Sequence, residues 1–167
     1  MEFVHNVARM LHDEHLAAMG LLNRMNDVFL SRSHHAPPDI DDISTRNLLS
    51  DVGGAISTEI SGHFDFEEED LFPLLEDAGE ASISKLLIEE HRIITPLGNQ
   101  LVAQTKQATR DGFSKESWKE FRQLVTEFIE RLSSHIHKEE TGLVPLIDEI
   151  LDEDIDRDLT NKYASSR

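Results

Sequence analysis

Four side chains in this sequence have the chemistry and spacing to meet around a cation: His63, Glu67, His135 and Glu139. In each pair the imidazole and the carboxylate stand four residues apart, which puts them on one face of a helix. That face is otherwise apolar: Ile56, His63, Glu67, Leu71 and Leu74 form one stripe, and Leu132, His135, Glu139, Leu143 and Leu146 the other. A lone His/Glu pair at this spacing is an ordinary helix-surface interaction. Here the pair recurs with its surroundings. His63-x3-Glu67-x3-Leu71-x-Pro73-Leu74 reappears as His135-x3-Glu139-x3-Leu143-x-Pro145-Leu146, every number raised by 72. An ionised carboxylate on an apolar face needs compensation, and a metal ion supplies it.

A second repeat pairs Glu14-His15 with Glu90-His91 at an offset of 76, each followed by an asparagine, Asn23 and Asn99. The two repeats together describe a helical hairpin used twice, one helix giving a lone His and its partner giving His-x3-Glu. Related by a pseudo-twofold axis, the copies would turn six candidate metal ligands into one cavity: His15, His63, Glu67, His91, His135 and Glu139. Inward-facing donors from all four helices are how di-metal bundles are built. Imidazole and carboxylate donors without thiolate suit iron, manganese or zinc. If Glu67 and Glu139 both bridge, about two of six octahedral positions on each ion stay open to water or an exogenous ligand. The positive charge of such a pair favours an oxo or hydroxo bridge, or a bound anion such as peroxide.

Other residues carry two readings. Glu14, Glu59, Glu90 and Glu140 are candidates for orienting the imidazoles from behind, or solvated surface acids. His12, one turn before His15, could be an extra ligand, a gate or an exposed His at the bundle rim, the last being the simplest. His5 and His137 lie off the stripe and read as surface residues, His34 and His35 as exposed loop residues, and Met19 and Met25 as core filler. Pro96 either kinks its helix to widen the pocket or is accommodated by packing, and Pro73 and Pro145 mark bends or early helix ends.

The elements that would position these residues follow from periodicity. Residues 3 to 30 place Val4, Leu11, Ala18, Leu22, Met25 and Phe29 at helical spacing, and residues 31 to 42, with Pro37-Pro38, form a surface connection. A second helix runs from a Ser44 N-cap to about Leu74, and Ala78, Gly79 and Ser82 mark a turn. A third carries Leu87, Ile94 and Leu101 and fades near Gly112; Ser114 then caps a fourth with Phe121, Val125, Phe128 and Leu132 inward. Mostly short connections between long helices imply an all-α, up-down antiparallel four-helix bundle over residues 1–151. Residues 152–167 are expected to be an acidic tail, a frayed end or a short extra helix.

The bulk composition limits the alternatives. At 167 residues, with 38% hydrophobic and 6% aromatic content, the chain is one domain long enough to bury a core without staples. It has no cysteine, so disulfides and thiolate sites are excluded. A formal charge of −17 repels phosphate backbones and anionic lipid, so neither nucleic acid nor a membrane surface is an expected partner. The N-terminus lacks a basic and an apolar region and no apolar stretch reaches spanning length, so the expected location is cytoplasmic.

Over about residues 5 to 150 the sequence resembles the hemerythrin-like, or HHE cation-binding, family, a four-helix bundle around a non-haem di-iron centre. The matching segments are DEH ending at His15, HFDFEEEDLFPLL from His63, EEHRII around His91 and HIHKEETGLVPLI from His135. The resemblance implies two iron ions, ferrous or ferric, held by the six residues above. It also departs from the oxygen-carrying hemerythrins, which have a second His where this chain has Thr95 and use His-x4-Asp in place of His-x3-Glu. The four-His, two-Glu set is closer to iron-sulfur-cluster repair proteins, which carry a cysteine-bearing N-terminal segment. The implied function is sensing, buffering or binding iron or a small ligand such as oxygen, nitric oxide or peroxide. The alternative is a di-iron oxidoreductase or cluster-repair factor.

Overall fold

The computed structural model describes residues 2–30 and 36–166; His34 and His35 lie outside the described residues. All regular structure in the described residues is helical. Helix α1 spans Asn6–Met25 and continues through a wide π turn, Asn26–Leu30. Val4, 78% exposed, precedes it and takes no part in the core stripe. Helix α2, Ile43–Thr58, is capped by Asp42, whose carboxylate accepts from the Thr45 N–H, so the cap lies two residues upstream of Ser44. The chain stays helical through π turns at Glu59–Phe64 and Glu67–Leu71 into α3, Phe72–Asp77. Gly79, at φ 90°, makes the turn that a side chain would strain, and α4 then runs 31 residues, Ala81–Asp111, through Pro96. Ser114 caps α5, Lys115–Lys138, in a reciprocal box with Ser117. A π turn at Glu139–Leu143 leads into α6, Val144–Ile150.

The π turns explain where the regular 3.6-residue pattern fails. Pro73 and Pro145 cannot donate a backbone hydrogen bond to the preceding turn. Just upstream of each, the helix opens by one residue per turn instead of ending. The inward face then advances four positions from Leu71 and from Leu143. Leu75 and Ile147 are fully buried, while Leu74 and Leu146 lie half-buried at the core's edge.

Beyond Leu151 the chain forms α7, Glu153–Ser165, capped by the Asp152 carboxylate on the Ile155 N–H. Two buried groups secure it against α1: Tyr163, and Asp156, which accepts from the backbone N–H groups of Asn6 and Val7 at 3.0 and 2.8 Å. Those are donors that the first turn of α1 leaves without an intrahelical partner. Ordered contacts of this kind replace the frayed end expected from the acidic sequence.

Two separate apolar cores form. One contains Leu22, Met25, Phe29, Leu49, Val52, Ile56, Ile94, Leu101, Phe121, Phe128 and Leu132; the other contains Val7, Leu11, Leu71, Phe72, Leu75, Leu87, Leu143 and Ile147. Along α1 the second core precedes His15 and the first follows it. Along α2 the order is reversed about His63, along α4 it is as in α1, and along α5 it is reversed again. Helix α2 packs on α4, α4 on α5, and α1 on α5, α6 and α7.

The approach of α4 to α2 depends on Gly98. A β-carbon there would fall 2.4 Å from Ile60 Cδ1 and 3.0 Å from Ile56 Cγ2. Gly98→Val is therefore expected to destabilise the metal-free fold by about 1–3 kcal/mol through overpacking. The urea midpoint should fall with an unchanged slope; an unaltered midpoint would refute the close approach.

Candidate metal centre

Between the two cores lies a layer of six polar side chains, His15, His63, Glu67, His91, His135 and Glu139, each at most 2% exposed. They fall into two groups whose donor atoms lie within 4.8 Å of one another: His15, His63, Glu67 and Glu139 in one, Glu67, His91, His135 and Glu139 in the other. Both carboxylates are common to the two groups. His63 and Glu67 come from the π-turned end of α2, His135 and Glu139 from the end of α5, and His15 and His91 from α1 and α4.

Distances inside the layer are short. Nε2 of His15 and of His135 lie 2.9 and 2.8 Å from Glu139 oxygens, and Nε2 of His63 and of His91 lie 3.1 and 3.3 Å from Glu67 oxygens. The two Nε2 atoms in each group also face one another, at 3.3 Å for His15 and His63 and 3.1 Å for His91 and His135. Even so, all four oxygens of Glu67 and Glu139 are buried and accept no hydrogen bond.

The reason lies on the other side of each ring. Nδ1 of His15, His63, His91 and His135 contacts Glu140, Glu14, Glu68 and Glu90 at 2.6, 2.8, 2.7 and 2.8 Å. A carboxylate only accepts, so Nδ1 must donate, and a neutral imidazole then turns a lone pair inward at Nε2. With the rings neutral, four nitrogen lone pairs and four carboxylate oxygens thus converge with no proton among them. That is the donor set of a cation site, with the outer carboxylates fixing tautomer and ring orientation as they do behind metal-bound histidines.

Without a cation the cluster draws in protons. Burial pushes the His91 imidazole down, but Glu139 and Glu67 outweigh it and hold its pKa up at about 10. His15, His63 and His135 are likewise raised, as carboxylate contacts outweigh burial. Burial pushes the Glu139 carboxyl upward, yet the imidazoles beside it, His135 first and then His15 and His91, hold it well below the usual carboxylate range once they are protonated.

Glu14, Glu90 and Glu140 therefore stand behind imidazoles, as the sequence allowed. Glu59 does not: its carboxylate lies 4.0 Å from Nε2 of His63, on the inward side, and burial raises its pKa. The fourth outer carboxylate, Glu68, escaped notice, although adding 72 to its number gives Glu140 and the same rule relates it to His91 as Glu140 to His15. His12 belongs to neither group; half-buried, it contacts Glu140 through Nδ1 at 2.7 Å. His5 is the half-buried N-cap of α1, its Nδ1 2.9 Å from the Asp148 carbonyl, and His137 is exposed.

A helical bundle enclosing a buried imidazole and carboxylate cluster able to hold metal defines a cation-binding helical protein. The profile of the hemerythrin HHE cation binding domain matches residues 6–147, and the chain belongs to that family. No curated protein matches it. Among the described residues, no helix is long and apolar enough to cross a membrane.

The raised imidazole pKa values carry a sign that can be tested. An unfolded His loses its proton near pH 6.5, whereas folded, metal-free His91 keeps it to about pH 10. The stabilisation is complete below about pH 6.5 and is lost as pH rises toward about 10. The urea midpoint of chelator-treated protein should therefore fall between about pH 7 and pH 10, beyond any fall in the cation-saturated protein, where metal has replaced the protons. A level or rising metal-free midpoint across that interval contradicts the assignment.

Proposed function

We propose that this protein is a non-haem di-iron protein in which His15 and His63 hold one ion, His91 and His135 the other, and Glu67 and Glu139 bridge the two. One observation carries the reading: four buried carboxylate oxygens without a donor, facing four imidazole nitrogens whose protons are committed outward. The order of core residues along α1, α2, α4 and α5 supports an up-down antiparallel bundle as the frame. Membership of a cation-binding family supports metal; the mixed nitrogen and oxygen donor set suits iron, manganese or zinc alike, and the resemblance to di-iron hemerythrin-like proteins favours iron.

An iron pair bound in this way supplies open coordination positions and a reversible change of charge. The chain's residues do the rest. Glu14, Glu68, Glu90 and Glu140 hold the imidazole protons, and the two apolar cores keep bulk water off the layer. A cavity of about 340 Å³, lined mainly by apolar groups including Ala18, Leu22, Ile56 and Leu132, reaches Glu14 and Glu59 beside His63. Far larger than a diatomic molecule or peroxide, it is an approach for such a ligand rather than a fitted pocket. The function that follows is binding or sensing such a ligand, or buffering iron, with reductive turnover of the ligand or cluster repair as the second reading.

Anaerobic loading with ferrous iron should give two tightly held ions per chain, and His135→Ala combined with Glu139→Ala should abolish that stoichiometry. Optical spectra on exposure to oxygen, peroxide and nitric oxide then separate the readings: a reversible change marks carriage or sensing, rapid consumption with a reductant marks turnover. Fewer than two ions in the wild-type protein, or full loading of the double variant, refutes the site.

A further inference from the structure

Helix α7 lies beyond the residues matched by the family profile, yet it delivers a side chain to a carboxylate that stands behind the layer. Tyr163 is 3% exposed, its ring 4.5 Å from that of Phe66, and its hydroxyl donates to Glu14, 2.9 and 2.8 Å from the two carboxylate oxygens. Glu14 in turn accepts from Nδ1 of His63 at 2.8 Å. The phenol, the carboxylate and the imidazole form one hydrogen-bonded chain ending at the inward Nε2 of His63. A carboxylate on a flexible stem has several rotamers, and a donor shared between its oxygens selects one. The other outer carboxylates have different second partners: His12 for Glu140, Lys138 for Glu90, while Glu68 is 40% exposed. The docking of α7 is itself anchored, since Asp156 accepts from the first N–H groups of α1, the helix that carries Glu14 and His15.

We propose that Tyr163 is a positioning residue of the metal centre: by holding Glu14 it orients His63 and so tunes the affinity of the ion on the His15 and His63 side, leaving the other ion alone. This makes α7 part of the site, and it rests on the reading of His63 as a ligand.

Cobalt(II) is a suitable probe, since its binding and the paramagnetically shifted imidazole N–H signals of the loaded protein are both measurable. Wild-type protein that takes up fewer than two cobalt ions defeats the underlying site, before Tyr163 is at issue. With two bound, Tyr163→Phe keeps the ring and removes the hydroxyl. One of the two binding constants should then weaken about tenfold. The other should stay within about twofold, and one imidazole N–H signal should move while the rest hold their positions. In a Glu14→Gln background the same change should have no further effect, because its partner is already altered. Unchanged constants and signals in Tyr163→Phe would reduce the phenol to packing. Equal weakening of both ions with a lowered melting temperature of the metal-free protein would make its role purely structural. Additive effects with Glu14→Gln would place its action elsewhere; any of the three overturns the proposal.

Discussion

Two carboxylates sealed between two apolar cores dominate the physics of this molecule. Each buried ion costs several kcal/mol in lost solvation unless countercharge sits beside it. Among the described residues, no group donates a hydrogen bond to Glu67 or Glu139; their neighbours are imidazoles whose Nδ1–H groups face the outer carboxylates. Protons or metal ions must make up the difference. The raised imidazoles and the depressed Glu139 are the proton solution to the same deficit that a pair of cations would meet. The helices hold this strained arrangement because the hydrophobic burial above and below it fixes their spacing, independently of what fills the layer.

Much of this layer was legible in the chain because a duplicated unit repeats its chemistry at a fixed offset. The six inward residues could be named from helical spacing and the 72- and 76-residue displacements, and the structure brings them together. The outer shell follows the same arithmetic: Glu68 and Glu140 differ by 72, Glu14 and Glu90 by 76. Glu68 was missed because an acid on the outer face of a helix resembles any solvated acid until its partner on another helix is known. Leu74 and Leu146 lie at the edge of the apolar stripe rather than at its centre for another reason. A constant 3.6-residue period cannot anticipate a π turn, and the prolines that accompany these turns also fit a helix end. The role of α7 was hidden because it rests on long-range contacts from Asp156 to Asn6 and Val7, and from Tyr163 to Glu14, which no local pattern encodes.

The duplication is imperfect where it matters chemically. Phe64 lies stacked on the His91 ring, with centroids 3.8 Å apart, whereas the position 72 residues on is Ile136. Glu59, inward and half-buried beside His63, corresponds to Arg131, which is exposed. These differences favour the two ends of the layer unequally. The end at His15 and His63 has an additional carboxylate, an adjoining apolar cavity and the phenol of Tyr163; the end at His91 and His135 has an aromatic lid and the Lys138 ammonium paired with Glu90. In the proposed two-ion centre, an extra anion near one ion and a cation behind the other would bias their affinities and charge in opposite directions.

That asymmetry bears on what the centre can do. Two equivalent ions would offer an incoming ligand no preferred end, and a symmetric bundle would give it no preferred route. Here the cavity stops at Glu14 and Glu59, the carboxylates beside His63, so it adjoins the carboxylate-rich end of the layer and not the other. Phe64 and Phe72, stacked near His91, cover the other end with apolar surface that excludes water without offering a hydrogen bond. The repeat gives a symmetric set of donors, and the residues that flank it differ, so the end at His15 and His63 adjoins a cavity while the end at His91 and His135 is covered by aromatic rings.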